Sequence, residues 1–455
     1  MTTASTTTPS EEKLDFKRVL PIFVIILVDL LGLTIIIPLL PLYAASFGAD
    51  PVMIGFLGTA YPLMQFIGAP LLGGLSDRFG RKPVLLVSQI GTFIGFLVLG
   101  LANSLLWIFV ARVIDGLSGA NIAAAQAAIT DSTTEKTRAQ GLGLLGAAFG
   151  LGFIIGPVIA FASLGLSHNN YHVPAFVAAA FSAASILLTA FWFHETLPVE
   201  KRGAKKKQEN VMVNLGRALR KPVIGTLLIL MFCQQFIFGG FEYLIALFNL
   251  NRLGIGASGN AIIFVFVGII IVLVQGKYIG PWSRKYGERK LIFAGLLLLC
   301  VGLTLTAITP AQTLPGYSKA AVIKELSQNS NASSAELSVP IPEDGNSGWL
   351  GIAWILVAMI PTSIGGGLLS PSINSLLTKN AAGDIGGTLG LSAALVSAAN
   401  AINPLIGGGV FKLLGSTAPF LIGGILIGLL YFVARATINK VQDQTAPQVN
   451  ISSSI

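Results

Sequence analysis

The feature that most constrains this chain is a series of twelve apolar runs, each long enough to cross a bilayer as a helix. A helix rises 1.5 Å per residue, so about 20 residues span roughly 30 Å of hydrocarbon. The runs lie near residues 19–42, 52–73, 83–103, 105–129, 140–165, 172–193, 222–248, 257–279, 290–309, 349–376, 386–411 and 418–437. Only 11% of the 455 residues are charged, against about 25% in an average soluble domain. The sequence therefore predicts an α-helical membrane protein with twelve spans.

Lysine and arginine are distributed unevenly between the two sides of these spans. Of the 29 basic residues, 24 fall on the side that holds both termini and the central linker, and four fall on the other side. Cytoplasmic loops are enriched in Lys and Arg, so we expect both termini in the cytoplasm and the protein in a plasma or inner membrane. The formal charge of +9 is then explained by segments that lie near anionic lipid, and no nucleic-acid partner is expected.

The two halves of the sequence repeat each other. Gly80, between spans 2 and 3, matches Gly287, between spans 8 and 9, at an offset of 207 residues. Pro157 in span 5 matches Pro404 in span 11 at an offset of 247. One insertion of about 40 polar residues, at 310–348, reconciles the two offsets. This pattern indicates a parallel duplication related by an axis along the membrane normal.

The boundaries follow from the runs and the repeat. We predict a cytoplasmic tail (1–18), an N-terminal six-helix bundle (19–193), a basic cytoplasmic linker (194–221), a C-terminal six-helix bundle (222–437) with an extracytoplasmic insertion (310–348), and a second cytoplasmic tail (438–455). Both cysteines, Cys233 and Cys300, lie within apolar runs, and neither they nor the histidines have metal-ligand spacing. No glycine-rich phosphate loop is present. We therefore expect no metal, no cofactor and no energy from ATP.

Four motifs carry a family resemblance. The segment GGLSDRFGRKP at 73–83 resembles the signature of the major facilitator superfamily. RVIDGLSGA at 112–120 and GFIIGP at 152–157 resemble the arginine and antiporter motifs of drug:proton antiporters, and FWFHETLP at 191–198 resembles tetracycline-efflux transporters. The resemblance implies an all-α membrane protein with the major-facilitator fold, its twelve transmembrane helices in two pseudo-symmetric six-helix bundles. It implies a transporter and not an enzyme.

The first of these motifs is a candidate gate at the inner end of the N-terminal bundle. Its residues are Gly74, Asp77, Arg78, Gly80 and Arg81, together with Asp131 at the inner end of span 4. Asp77 and Arg81 are spaced i, i+4, which allows them to pair if a helical turn continues there. We predict that Arg81 also meets Asp131. The alternative is a solvated basic loop that only sets the topology. In the second half the charges are reversed, so the gating role is not extended to it.

Four ionisable residues within the spans are candidates for proton coupling: Asp29, Arg112, Asp115 and Glu242. A charge at mid-membrane costs at least about 2.5 kcal/mol, so such residues usually face a cavity or a partner. If Asp29 and Asp115 compete for Arg112, protonation of one carboxylate would release the arginine. The alternatives are a structural hydrogen bond for Asp29, a simple i, i+3 pair for Asp115, and snorkelling for Glu242, which we expect near the outer end of span 7.

The remaining candidates concern the shape of the cavity. Gly152, Gly156 and Pro157 are predicted to let span 5 bend and another helix approach it. Polar or aromatic side chains that could line a substrate cavity are Gln65, Asn121, Gln126, Gln234, Gln235 and Trp354; the alternative for each is an interhelical hydrogen bond. The tetracycline exporters carry acids in spans 3 and 9 where this chain has Gly95 and Leu299, which speaks against tetracycline itself.

These observations together predict a proton-coupled secondary transporter that exports a small amphipathic compound or drug by alternating access. Its expected partners are that compound, protons and the lipid bilayer, and we expect it to function as a monomer. The nearest alternative is a uniporter or importer of a sugar or other small metabolite. A non-transporting membrane receptor is a more distant alternative, because only the linker and the insertion could form a soluble domain.

Overall fold

The computed structural model describes residues 15–119, 121–134, 137–203, 211–329, 338–381 and 385–438. These ranges contain twelve helices long and apolar enough to cross a membrane, which we number as spans 1 to 12. Their bounds are Phe16–Ile36, Pro51–Phe79, Arg81–Gly100, Leu105–Asp131, Gly143–Leu166, His172–Phe191, Pro222–Leu253, Ala257–Tyr286, Glu288–Ala307, Leu350–Asn380, Gly387–Leu414 and Ala418–Ile438. The predicted fold class is confirmed. The outer parts of both predicted tails, part of the linker and part of the insertion fall outside the described residues.

Span 1 is shorter than the sequence predicts. The apolar run continues to residue 42, but the helix ends at Ile36, and a separate short helix, Leu40–Ser46, follows. Pro38 lies in the gap. Proline has no backbone N–H, so a helix cannot continue through it without losing a hydrogen bond. Hydropathy does not register this interruption, because proline and its neighbours are all apolar.

The junction between spans 2 and 3 is a single glycine. Span 2 remains helical through the signature motif to Phe79, and span 3 begins at Arg81. Gly80 between them has φ of +106°, and its repeat partner Gly287, between spans 8 and 9, has φ of +79°. Glycine adopts positive φ without the steric penalty of other residues. The two halves therefore share this turn in structure as well as in sequence.

The two bundles pack closely at one end of the molecule. We call the end nearest residues 310–348 the insertion face and the end nearest residues 199–221 the linker face. Near the insertion face the backbone of span 11 lies directly against Gly55 of span 2, where a Cβ atom would overlap the carbonyl of Pro404. A Cβ on Gly268 of span 8 would lie 2.7 Å from the carbonyl oxygen of Phe153 in span 5. Small residues allow this close approach.

At the linker face the same helices separate. Gly73 lies five helical turns after Gly55, on the same face of span 2, yet a Cβ there would meet no described atom within 4 Å. The same holds for Gly146, which lies about two turns before Phe153 in span 5, and for Gly276 of span 8. The structure is therefore closed between the bundles at the insertion face and open at the linker face.

Part of the insertion crosses the closed face as a strap, which we define as residues 319–329. It contains the helix Lys319–Gln328. The Glu325 carboxylate accepts a hydrogen bond of 2.8 Å from the hydroxyl of Tyr171, between spans 5 and 6. Asn329 accepts from the backbone N–H of Tyr171 at 2.6 Å and donates to the carbonyl of Asn169 at 2.9 Å. Asn169 has a positive φ of 60°. The strap thus joins an element of the C-terminal bundle to a loop of the N-terminal bundle.

Candidate functional site

A buried arginine–aspartate pair lies in the middle of span 4. The guanidinium of Arg112 bonds to the carboxylate of Asp115, one turn away, and the two residues are only 3% and 2% exposed. The Tyr61 ring of span 2 lies under the guanidinium, with its centroid 4.9 Å from Arg112 Cζ, a distance at which a cation attracts an aromatic face. The predicted i, i+3 pair is therefore present. A buried charge of this kind is stable only with its partner.

Small residues bring spans 2 and 3 against this pair. A Cβ on Gly116 of span 4 would lie 2.8 Å from the Cβ of Met64 in span 2. A Cβ on Gly95 of span 3 would lie 2.9 Å from the Cβ of Asp115. Real Cβ atoms do not approach this closely, so a larger side chain at Gly95 would push the helices apart. The absence of an acid at Gly95, where the tetracycline exporters carry one, thus has a steric reason in this chain.

The span 4 helix is interrupted just after the pair. It is helical over Leu105–Ser118 and again over Asn121–Asp131. The carbonyl of Ser118 accepts a hydrogen bond from the hydroxyl of Ser88, and the carbonyl of Gly119 accepts one of 3.0 Å from Gln65. Backbone groups released within a membrane need such partners. Gln65, predicted as a cavity residue, is therefore at least partly occupied in supporting the break.

A narrow pocket opens beside the pair. Among its lining residues are Asp29 from span 1, Tyr61 from span 2, Gln89 and Thr92 from span 3, and Asp115. The structure therefore brings together three of the four predicted coupling residues, since Arg112 is bonded to Asp115. Whether Asp29 and Asp115 compete for the arginine stays a prediction.

Glu242 lies on a helix that is longer than the predicted span. Span 7 remains helical to Leu253 and ends at Gly254, which has the left-handed φ of +67° that commonly closes a helix. Glu242 lies 11 residues before Leu253, or about 16 Å from the helix end at 1.5 Å per residue. The helix continues past the predicted end of the apolar run, and the expectation that Glu242 lies within snorkelling reach of the outer interface stays a prediction. Glu242 is not among the residues that line the Asp29–Asp115 pocket.

The signature motif forms an ion network at the linker face. The Arg81 guanidinium bonds to Asp131 at 2.8 Å, to Asp77 at 2.6 Å and to the hydroxyl of Ser76 at 3.0 Å. Both predicted partners of Arg81 are confirmed as contacts. Because these residues all belong to spans 2, 3 and 4, the network ties helices together within the N-terminal bundle. Its role as a gate stays a prediction.

Two other motif residues have no part in these bonds. Gly74 is exposed, and a Cβ there would meet no described atom within 4 Å. Arg78 is also exposed, with its guanidinium carbon 5.2 Å from the ring centroid of Phe79. Their placement on the open linker face is compatible with the positive-inside pattern.

Glu195, after span 6, is a further member of this network, and it is not among the predicted site residues. Its carboxylate accepts hydrogen bonds from the backbone N–H groups of Arg81 at 2.8 Å and Lys82 at 3.2 Å. It therefore binds the N-terminal end of span 3, where the helix dipole favours a negative charge. Arg202 lies 3.6 Å from the same carboxylate. The signal was available in the motif at residues 191–198, where Glu195 is the only acid.

The C-terminal bundle has an equivalent network with inverted charges. Glu288, at the position of Arg81, forms an ion pair of 2.7 Å with Lys379 and accepts a bond of 2.9 Å from Ser283. Lys379 is at the inner end of span 10, as Asp131 is at the inner end of span 4. The sequence leaves the pairing of this loop open. The repeat offset of 247 would have placed the counterpart of Asp131 at residue 378, next to Lys379.

The antiporter motif lies where span 5 crosses span 1. A Cβ on Gly156 would lie 2.6 Å from the Cβ and 2.8 Å from the backbone carbonyl carbon of Thr34, whereas one on Gly152 would come no closer than 3.6 Å to Leu30 or Thr34. The helix runs unbroken from Arg138 to Leu166 through Pro157. Close approach at Gly156 is thus present, while bending in function stays a prediction.

The other predicted cavity residues differ in their surroundings. Trp354 donates a 2.8 Å bond to the carbonyl of Leu305 in span 9, so its N–H supports helix packing. Gln126 is exposed, and Gln234 is buried. Gln235 donates to Asn400 of span 11. The side chain of Asn121 lies outside the described residues.

Comparison with known proteins agrees with this architecture. Residues 22–324 match the Major Facilitator Superfamily, and the chain belongs to that family. It is 34% identical to the class B tetracycline resistance protein of Escherichia coli over 60% of this chain and 68% of that protein. It is 26% identical to multidrug resistance protein 2 of Bacillus subtilis over 90% of this chain and 93% of that protein.

Solved structures also share the fold. The crystal structure of the human organic anion transporter MFSD10 (TETRAN) aligns with a TM-score of 0.59 at 24% identity, covering 93% of this chain and all of that one. This protein is therefore an integral multi-pass membrane transporter of the major facilitator superfamily and not an enzyme, and it is similar to tetracycline and multidrug resistance proteins.

Proposed function

We propose that this protein exports a small amphipathic compound in exchange for protons. The observation that carries the proposal is the buried Arg112–Asp115 pair, which shares a membrane pocket with a second carboxylate, Asp29. The tetracycline and multidrug resistance relatives support the export of a small amphipathic compound. Acidic residues inside spans are typical of proton relays in pumps and transporters.

In this proposal one arginine and two carboxylates form a proton switch, and the free energy of one protonation is enough to change the conformation. Neutralising one partner of a buried ion pair changes its free energy by about 3–5 kcal/mol. Moving a two-state equilibrium from 1:99 to 99:1 requires about 5.5 kcal/mol. One proton on Asp29 or Asp115 is therefore of the right magnitude to shift the conformational equilibrium. Protonation changes which carboxylate holds Arg112, and the spans that carry them move accordingly.

The two bundles move as units around this switch. The Arg81 bonds to Asp77 and Asp131 fix the linker ends of spans 2 to 4, and the Glu288–Lys379 pair fixes those of spans 9 and 10. The linker face is the cytoplasmic face in this proposal, because the sequence segments on that side of the predicted spans carry 24 of the 29 basic residues. Substrate enters the open side from the cytoplasm, and both termini lie in that compartment. The protein works as a monomer in a plasma or inner membrane.

Two positions argue against tetracycline as the cargo. Gly95 has no room for an acid beside Asp115, and Leu299 is fully buried between spans 9 and 10. A Cβ on Gly365 of span 10 would lie 3.0 Å from that of Leu299, so the position packs helices and does not face a cavity.

The test is substrate-driven proton release from everted vesicles. Asp29→Asn should abolish proton release while substrate binding remains, and Asp29→Glu, which keeps the charge, should retain part of the activity. Undiminished release by the Asn variant would refute the switch. Transport that is unaffected by an uncoupler would favour the alternative, a uniporter or importer of a sugar or other small metabolite.

A further inference from the structure

The pocket beside the Arg112–Asp115 pair contains a buried amide to which the proton switch assigns no part. Gln89 of span 3 is 1% exposed and is one of the residues that line this pocket. Its side-chain oxygen has no hydrogen-bond partner within the described ranges. A buried acceptor without a donor is costly, so each such group calls for an explanation.

The other end of this amide is held by span 6. The NH2 group of Gln89 donates a hydrogen bond of 2.8 Å to the hydroxyl of Ser185. That hydroxyl donates in turn to the backbone carbonyl of Ile25 in span 1, at 3.3 Å. A hydroxyl has a single hydrogen to donate, so the bond between the two side chains comes from the NH2 group of Gln89. The side-chain oxygen is therefore the atom of the amide that is available to the pocket.

Two carboxylates face the same pocket. Asp29 lies one turn after the carbonyl that Ser185 contacts, and residues four apart share a helix face. It lines the pocket together with Asp115 of span 4 and Tyr61 of span 2. Span 6 has no titratable residue over 173–191. The titratable neighbours of the Gln89 oxygen are therefore these two acids and the tyrosine.

The size of the pocket restricts what can donate to Gln89. The space open to the centre of a water molecule is about 20 Å³, and one water needs about 10–15 Å³ by that measure. Sites for drug-sized ligands enclose about 300–1,000 Å³. In this conformation the donor is therefore a protonated side chain of the lining or a single water, and not the transported compound.

We propose that Gln89 holds the coupled proton on Asp29, by accepting a hydrogen bond from its carboxylic acid directly or through one water molecule. The proposal rests on the proton-coupled export above and adds a positioning residue to it. A protonated carboxyl group has one O–H to donate, whereas an ionised carboxylate only accepts. Gln89 therefore stabilises the protonated form alone. Its oxygen, the negative end of the amide, also repels the ionised form, so both effects act in the same direction.

The pH profile of substrate-driven proton release from everted vesicles tests this, with equal pH on the two sides. Gln89→Leu keeps the volume of the side chain and removes the oxygen. The net effect of one neutral hydrogen bond is about 2- to 13-fold in an equilibrium constant, or about 0.4–1.1 pH units. The pH of half-maximal release should therefore fall by that amount. Ser185→Ala is the matched control: it removes the other partner of the amide, leaves the oxygen in place and should not move the profile.

Infrared difference spectra of the purified protein in nanodiscs give a second readout that does not need transport. The acid C=O band that disappears in Asp29→Asn belongs to the protonated Asp29. Loss of the hydrogen bond should move this band to higher wavenumber in Gln89→Leu and leave it unmoved in Ser185→Ala. If Gln89→Leu does not fold, Gln89→Met, which keeps the length of the side chain and has no oxygen, takes its place.

Each outcome has a defined meaning. An unchanged profile and an unmoved acid band in Gln89→Leu would overturn the role of Gln89 and leave the proposed export intact. Equal shifts in Gln89→Leu and Ser185→Ala would also overturn it, because the contact would then serve helix packing. A higher KM for the substrate with an unchanged profile would overturn it in favour of substrate binding. If the unaltered protein releases no protons but the Asp29 band moves in Gln89→Leu, the hydrogen bond is supported and the coupled export is refuted.

Discussion

The strap offers the sharpest test of what keeps the insertion face closed. Glu325 joins the two bundles, because it accepts a bond from Tyr171 at 2.8 Å and one from the backbone N–H of Ala257, at the start of span 8, at 3.4 Å. Tyr171 is fully buried. Glu325→Ala removes the acceptor on both sides and leaves the tyrosine hydroxyl without its carboxylate partner.

The magnitude follows from the type of bond. A hydrogen bond to a charged group contributes about 1.5–3 kcal/mol, and 1.4 kcal/mol is tenfold in an equilibrium constant. We therefore expect Glu325→Ala to raise the ratio of insertion-face-open to insertion-face-closed protein by about 10- to 150-fold. Asn169, held by Asn329 at a positive φ of 60°, would be free to relax in the open form, which acts in the same direction.

The assay is a distance distribution between spin labels at Met53 and Leu413, both exposed at the insertion face, with Cys233 and Cys300 replaced by serine. The matched control is Glu343→Ala. That carboxylate is 81% exposed and pairs at 2.5 Å with a lysine of the same insertion, so its loss should not move the distribution. Identical distributions for the strap variant and this control would refute the reasoning.

Two further predictions concern packing and charge. Gly156→Ala should lower the stability of the purified protein by about 1–3 kcal/mol through overpacking. Gly152→Ala, where a Cβ meets only ordinary contacts, should leave the stability unchanged or raise it. Equal melting temperatures for the two variants would contradict the close crossing of spans 1 and 5. Asp50, before span 2, and Lys412, in span 11, form a 2.8 Å ion pair between the bundles, and the hydrogen bond from Lys412 lowers the pKa of Asp50. The pair is therefore complete above the ordinary aspartate pKa of about 4, and it is lost as the pH falls through the lowered pKa. The open fraction of the insertion face should therefore rise at such low pH, and Lys412→Gln, which has lost the pair, should show no such rise.

The sequence predicts the frame of this fold well, because each signal that defines it is local. Apolar runs set the number of spans, and Gly80 and Gly287 mark equivalent turns by their need for positive φ. The ends of helices are harder to predict. Hydropathy follows side chains and not backbone hydrogen bonds, so Pro38 ended span 1 early, and span 7 continued past its apolar run to Leu253.

The candidate site shows a similar division. The pairs of Arg81 and Arg112 were predictable, because i, i+4 and i, i+3 spacing brings side chains together whatever the tertiary fold. The contacts of Glu195 with span 3 and of Glu288 with Lys379 depend on how distant helices meet. Spacing along the chain contains no such information. The distance of Glu242 from the end of span 7 is equally a property of the backbone and not of the apolar run.

The glycines of span 2 show how differently one helix face can tolerate mutation. Gly55 is enclosed by the backbone of span 11, whereas Gly73, on the same face, meets nothing within 4 Å. A screen that scores only the stability of this conformation would rank Gly73 as freely replaceable. A screen that scores survival under a transported toxin would also sample the conformation in which the linker face closes, where added volume at Gly73 meets the opposing bundle. The two mutational maps of this protein should therefore disagree most at the residues that look least constrained here.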